Sequence, residues 1–165
     1  MQTGTRQTVR FSVVALGLVL LVAGAVLAQG KDPHIGVWKS NIAKSKASPG
    51  TGSTSNALKI EAAGAGVKLT VDAVGTDGTV RHWSFTANYD GKDTPITGNS
   101  QWGDSAALTR VDANTWRTVY KKAGVVMATQ TAVVSADAKT RTTSTKGKNV
   151  LGQAVDNVTV YERQP

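Results

Sequence analysis

Arg110 lies in the segment SAALTRV, two residues after Leu108, and the next segment, TWRTVYKK, alternates Trp116, Thr118 and Tyr120. A third segment, VRHWSFTANY, adds Trp83, Phe85 and Tyr89 at the same alternation. A guanidinium among aromatic rings suits one kind of chemistry. It gives a charge-assisted, directional contact to a carboxylate or phosphate, while the rings take the apolar part of the same molecule. The expected ligand-binding set is therefore Trp83, Phe85, Tyr89, Arg110, Trp116 and Tyr120. A guanidinium buried alone is costly, so an internal ion pair of Arg110 with Glu162 or Asp156 is a competing reading that the sequence leaves open.

Other chemistries find few residues to carry them. His34 and His82 lie on distant segments, without the spacing of paired metal ligands or a neighbouring carboxylate in sequence. Asp77, Asp90, Asp112 and Asp137 sit at turn positions, where a short carboxylate caps the backbone. Asp90-Gly-Lys-Asp93 offers too few oxygens for a calcium loop. With no cysteine in the chain, thiol catalysis and cysteine-type zinc sites are excluded. No nucleophile elbow or phosphate loop occurs. The expectation is no catalytic residue, no metal, no cofactor and no catalysis.

The elements that must position the arginine and the rings read as strands. ALKIEA, VKLTVDAV and VRHWSFTANY place an apolar residue at every second position, which buries one face and wets the other. The pattern continues through SAALTRV, TWRTVYKK, VVMATQTAVV, KTRTTSTK and AVDNVTVYER. Breaks at Asp77-Gly78, Asp90-Gly91, Asp112–Asn114, Ala123-Gly124 and Ala136–Lys139 are short enough for hairpins. About ten strands in an antiparallel up-and-down meander are expected to close into a barrel, because a long open sheet exposes its edges. Pro95 cannot donate to a ladder, which puts Asp93–Thr97 at an edge or seam. On the last strands the inward set is Thr140, Thr142 and Ser144, or their neighbours. Aromatic groups on one wall and small or hydroxyl groups on another could leave a cavity.

The folded part opens on DPHIGVWKSN, with Gly36-Val37-Trp38. A Trp on the first strand can plug a barrel floor, and its indole N–H needs a partner. The triplet resembles the lipocalin-like (calycin-type) group, whose members begin with Gly-x-Trp and lay a basic residue of the last strand over the indole. That resemblance implies Gly36, Trp38 and Arg163 as a structural motif, with Arg141 as the second candidate cation. The Thr-Asp-Tyr motif of the classical lipocalins is missing. GVWKSNIAKSKASPG, YDGKDTPITG, DANTWRTVYKK and NVTVYERQ, within residues 36 to 162, also resemble small secreted bacterial β-barrel proteins. The fold this implies is an all-β, lipocalin-like barrel of about 8–10 strands; no activity comes with it.

Residues 1–28 read as a signal peptide: Arg6 and Arg10, then an uncharged run from Phe11 to Val26, then Val26-Leu27-Ala28 before cleavage. The rival reading is a transmembrane anchor, since the apolar run approaches the ~20 residues a bilayer needs. The mature chain would be periplasmic or secreted, with no membrane span. Residues 29–56 then form an N-terminal strand and a Ser/Gly/Lys-rich loop, IAKSKASPGTGSTSN, and residues 57–165 form one barrel domain together with 36–41. The whole chain carries a formal charge of +8. Its closest basic pairs, Lys44 and Lys46, Lys121 and Lys122, Lys146 and Lys148, read as scattered surface charge with no nucleic-acid signature. The function expected is an exported, monomeric binding module for an apolar or amphiphilic small molecule. The alternative is a structural or interaction module of the cell envelope, for which an exposed Trp102 and a filled barrel would argue.

Overall fold

The structure, a computed structural model, describes residues 32–165. The expected leader and its cleavage site after Ala28 lie outside the described residues. Eleven strands follow one another: β1 (Gly36–Lys46), β2 (Ser53–Ala63), β3 (Gly66–Gly75), β4 (Val80–Ala87), β5 (Asp90–Pro95), β6 (Thr97–Gly98), β7 (Ser105–Arg110), β8 (Thr115–Lys122), β9 (Val125–Val134), β10 (Thr140–Lys148) and β11 (Ala154–Arg163). All pairings are antiparallel, in the order β5-β7-β8-β9-β10-β11-β1-β2-β3-β4-β6.

The first and last strands pair with each other, and the two ends of the order, β5 and β6, are consecutive in the chain. The sheet therefore curls into a nearly closed barrel whose seam is the segment 90–98, on β7 through β5 and on β4 through β6. Pro95 sits in that seam. The eleventh strand arises because Ile96 leaves the ladder and gives its N–H to the Asp104 carbonyl at 2.8 Å, which splits one expected segment in two.

Period-two burial runs through the walls. In β3, Val67, Leu69, Val71 and Ala73 are buried, and in β8 so are Trp116, Thr118 and Tyr120. The β8–β9 hairpin turns through Ala123 and Gly124, both at positive φ (48° and 77°). That is the turn whose twist matches two right-twisted strands.

One expected loop is mostly strand. β1 runs to Lys46 and β2 begins at Ser53, so only 47–52 connect them. Beyond Asn41, β1 keeps β11 as its neighbour through a bulge, whereas its ladder with β2 ends at Lys39 and Ala57. A strand paired on one side and largely exposed need not alternate, so IAKSK showed no period.

The base is closed around Trp38, which is fully buried and donates from Nε1 to the His34 carbonyl at 2.8 Å. The Arg163 guanidinium lies 4.1 Å from the indole centroid and donates to the carbonyls of Ile35 (2.7 Å), Ala138 (2.6 Å) and Pro33. Gly36 has φ 145°, and a Cβ there would fall 2.3 Å from Arg163 Nη1. Only glycine lets that arginine cross.

The opposite end gathers the connections 47–52, 76–79, 99–104, 123–124 and 149–153, as the meander requires. Lys44 and Lys46, Lys121 and Lys122, Lys146 and Lys148 all lie toward the ends of strands that run to it. Lys121, Lys122, Lys146 and Lys148 thus gather at this end, whereas Lys46 lies opposite Val158, halfway along β11, and Lys44 reaches Glu162 nearer the base. Lys44, Lys121 and Lys146 meet Glu162, Asp93 and Asp156.

Candidate functional site

A cavity of about 240 Å³ lies inside the barrel and reaches the surface near the basic end, where exposed Ile42, Lys46 and Thr76 join its lining. One wall is apolar, with Leu58, Leu69, Val71, Trp83, Trp102 and Tyr120. The facing wall comes from β9, β10 and β11 and is polar: Gln130, Thr143, Thr145, Asn157, Thr159 and Arg141. Cross-strand register aligns these groups. Arg141 pairs with Tyr161 and Thr143 with Thr159, while Thr145 faces both Asn157 and Gln130. The Gln130 amide donates to Thr145 Oγ1 at 3.0 Å, so part of the wall is already hydrogen-bonded.

Arg141 is the exceptional group. It is 1% exposed, and no carboxylate among the described residues lies in ion-pair range of it. Its Nε donates to His34 Nδ1 at 3.3 Å, while its Nη groups donate to no protein atom among the described residues. Burial lowers its pKa, yet a guanidinium stays protonated. A cation thus faces the cavity with its donors unspent.

His34 explains why that contact does not neutralise Arg141. Arg Nε can only donate, so Nδ1 accepts, and the ring proton sits on Nε2, which donates to the Asn114 carbonyl at 3.0 Å. The ring is fully buried and stacked 3.9 Å from Trp116. Burial, then the charge of Arg141, pushes its pKa down to about 3. The folded protein therefore resists protonating His34 while the unfolded chain takes a proton near pH 6.5. Stability from this group is whole above pH 6.5 and is lost as pH falls towards 3. Between pH 7 and pH 4 the unfolding free energy should drop by roughly 3 kcal/mol. Urea titrations at both pH values check this, and His34→Gln should flatten the dependence; an unchanged slope in that variant would remove His34 as its source.

The six residues expected to bind ligand separate into three groups. Trp83 and Tyr120 line the cavity. Phe85 and Trp116 are buried but do not line it. Tyr89 and Arg110 lie at the closed base, where Arg110 stacks 3.9 Å from the Tyr89 centroid and both donate to Asp32. Arg110 therefore forms an internal ion pair, though with neither Glu162 nor Asp156: those acids meet Lys44 and Lys146. Burial alone would raise the Asp32 carboxyl, but hydrogen bonds from Tyr89, the His34 N–H and Arg110 hold it below the usual range. Asp32 precedes the first strand and belongs to no alternating pattern, so sequence periodicity could not pair it.

Two further corrections follow from packing. Trp102 is 8% exposed rather than a surface residue; it stacks on Tyr120 with centroids 6.0 Å apart and lines the cavity. His82 is exposed, but it does have a carboxylate neighbour, since the β3–β4 register sets Asp72 opposite and Oδ1 lies 2.6 Å from its Nδ1. Among the described residues no group of three or more His, Cys, Asp or Glu side chains could hold a metal ion. No helix there is long and apolar enough to cross a membrane.

No family model matches the chain, and no curated protein or solved structure matches it.

Proposed function

We propose that the barrel is an exported binding module for a small amphiphilic anion, with the anionic head on Arg141 and the apolar part against Trp83, Trp102 and Tyr120. The observation that carries this reading is Arg141 itself, a buried cation on the wall of a cavity with no carboxylate in ion-pair range among the described residues. Burying a charge is tolerated when something pairs with it, and here the natural partner is a ligand. The two-sided lining sets the orientation, with hydroxyl and amide groups beside the head and aromatic groups along the body.

Cavity size narrows the class. An apolar void of about 150 Å³ takes benzene, so 240 Å³ suits an acid of about ten non-hydrogen atoms rather than a long-chain fatty acid. Lys46 at the mouth of the cavity favours the same sign of ligand, since positive charge there raises the local concentration and on-rate of anions. Export rests on the leader-like residues 1–28, and the cavity weighs against a filled envelope module.

Trp83 and Trp102 report occupancy directly. Titration with phenylacetate should change the intrinsic fluorescence saturably, a sixteen-carbon acid should bind more weakly, and the association rate should fall as salt rises. If no acid of any length gives a saturable change, the cavity does not serve an anionic ligand. The outer surface would then be the place to look.

A further inference from the structure

Resting on the anion-binding reading, we infer that the cavity has a second polar subsite, at the gap between β1 and β2, which selects acids bearing a hydroxyl group. The β1–β2 ladder holds four pairs, from Gly36 with Ile60 to Lys39 with Ala57, and then stops. β1 goes on with β11 alone, while β2 goes on with β3. The next pair in the ladder would have been Ser40 with Asn56. These two residues form the lips of the gap, and both line the cavity.

Both lips carry buried polar atoms with nothing to bond. Ser40 Oγ and Asn56 Oδ1 are shielded from solvent and have no hydrogen-bond partner among the described residues. Buried polar groups are nearly always paired, so an orphan calls for a reason. Two orphans on facing lips of one cavity share one. The third such atom, Trp116 Nε1, does not line the cavity.

Geometry links this subsite to the anchor. Ser40 is opposite Tyr161 on β11, and Tyr161 is opposite Arg141 on β10, so the three share a level of the barrel. Two strand spacings put the Ser40 and Arg141 backbones about 10 Å apart. A carboxylate on the guanidinium and a hydroxyl at the far side of one aromatic ring span such a distance. The chemistry also matches: a ligand hydroxyl can donate to Asn56 Oδ1 and accept from the Ser40 hydroxyl. An acid ending in hydrocarbon would leave both atoms unpaired and displace any water that serves them.

The test compares phenylacetate with para-hydroxyphenylacetate by calorimetric titration of the full mature chain. The hydroxylated acid should bind at least about tenfold more tightly, because a site built to hydrogen-bond a hydroxyl rejects the analogue that lacks it. Ser40→Ala combined with Asn56→Leu should bring that ratio below about twofold. Ser40→Ala alone removes only an oxygen, and it should lower the ratio too if the double variant fails to fold. Equal binding of the two acids by the unaltered protein overturns the subsite and leaves the Arg141 reading intact. Binding of neither acid overturns both.

Discussion

Trp38→Ala should cost the protein about 3–5 kcal/mol of stability. The side chain is fully buried at the base, where truncation leaves a void. The indole is also the surface on which Arg163 lies, and Arg163 ties together the carbonyls of Pro33, Ile35 and Ala138. Removing the ring strands that guanidinium over a hole. Trp38→Phe separates the contributions: it keeps most of the apolar area and gives up the Nε1 bond to His34, for a loss nearer 1 kcal/mol. Urea unfolding of both variants decides the matter. A loss below about 1 kcal/mol for the alanine variant would mean that the base is held by other contacts.

Arg141→Met should move stability the other way. In the empty barrel the guanidinium is buried without an anion, so an apolar side chain of similar length removes a desolvation cost. Replacing buried charges by packed apolar groups is often neutral or stabilising by about 1–4 kcal/mol, and methionine adapts to irregular space. His34 Nδ1 gives up one long hydrogen bond in exchange. The expected result is a more stable empty protein, with a higher urea midpoint and unchanged denaturant slope. Clear destabilisation would show that Arg141 serves the fold as it stands. Gain of stability with loss of binding is the signature of a residue kept for its ligand.

The barrel was legible because its apolar residues alternate and its turns carry Asp-Gly, Asn and Ala-Gly at short intervals. Gly36, Trp38 and Arg163 come together because they sit near opposite ends of the chain on strands that pair. The interior was less legible, for a physical reason. Alternation tells which face a residue occupies, but not how high it sits in a barrel, and height depends on stagger between strands. Arg110 and Tyr89 face inward at the base, one level away from usefulness to the cavity, and Asp32 meets them from outside any pattern.

Arg141 was hidden for a different reason. In KTRTTSTK both faces of the strand are polar, so nothing in the sequence chooses between Thr140, Thr142 and Ser144 and the set that points inward, Arg141, Thr143 and Thr145. The choice is made by β9, whose buried Ala128, Ala132 and Val134 flank that set. Trp102 looks exposed between polar neighbours because the contact that covers it, Tyr120, belongs to another strand. The basic residues at the open end are equally a product of topology, since the pairs Lys121–Lys122 and Lys146–Lys148 come to one end only through the meander.

Calorimetric titration of the unaltered protein and of Arg141→Met, each with phenylacetate and with its methyl ester, tests the central claim most directly. The cycle removes the charge from ligand and protein in turn, so the coupling it yields belongs to that pair. The acid should bind the unaltered protein far more tightly than the ester, and the variant should lose that preference while keeping its weak affinity for the ester. An acid preference that survives in Arg141→Met would place the anion elsewhere and contradict the reading.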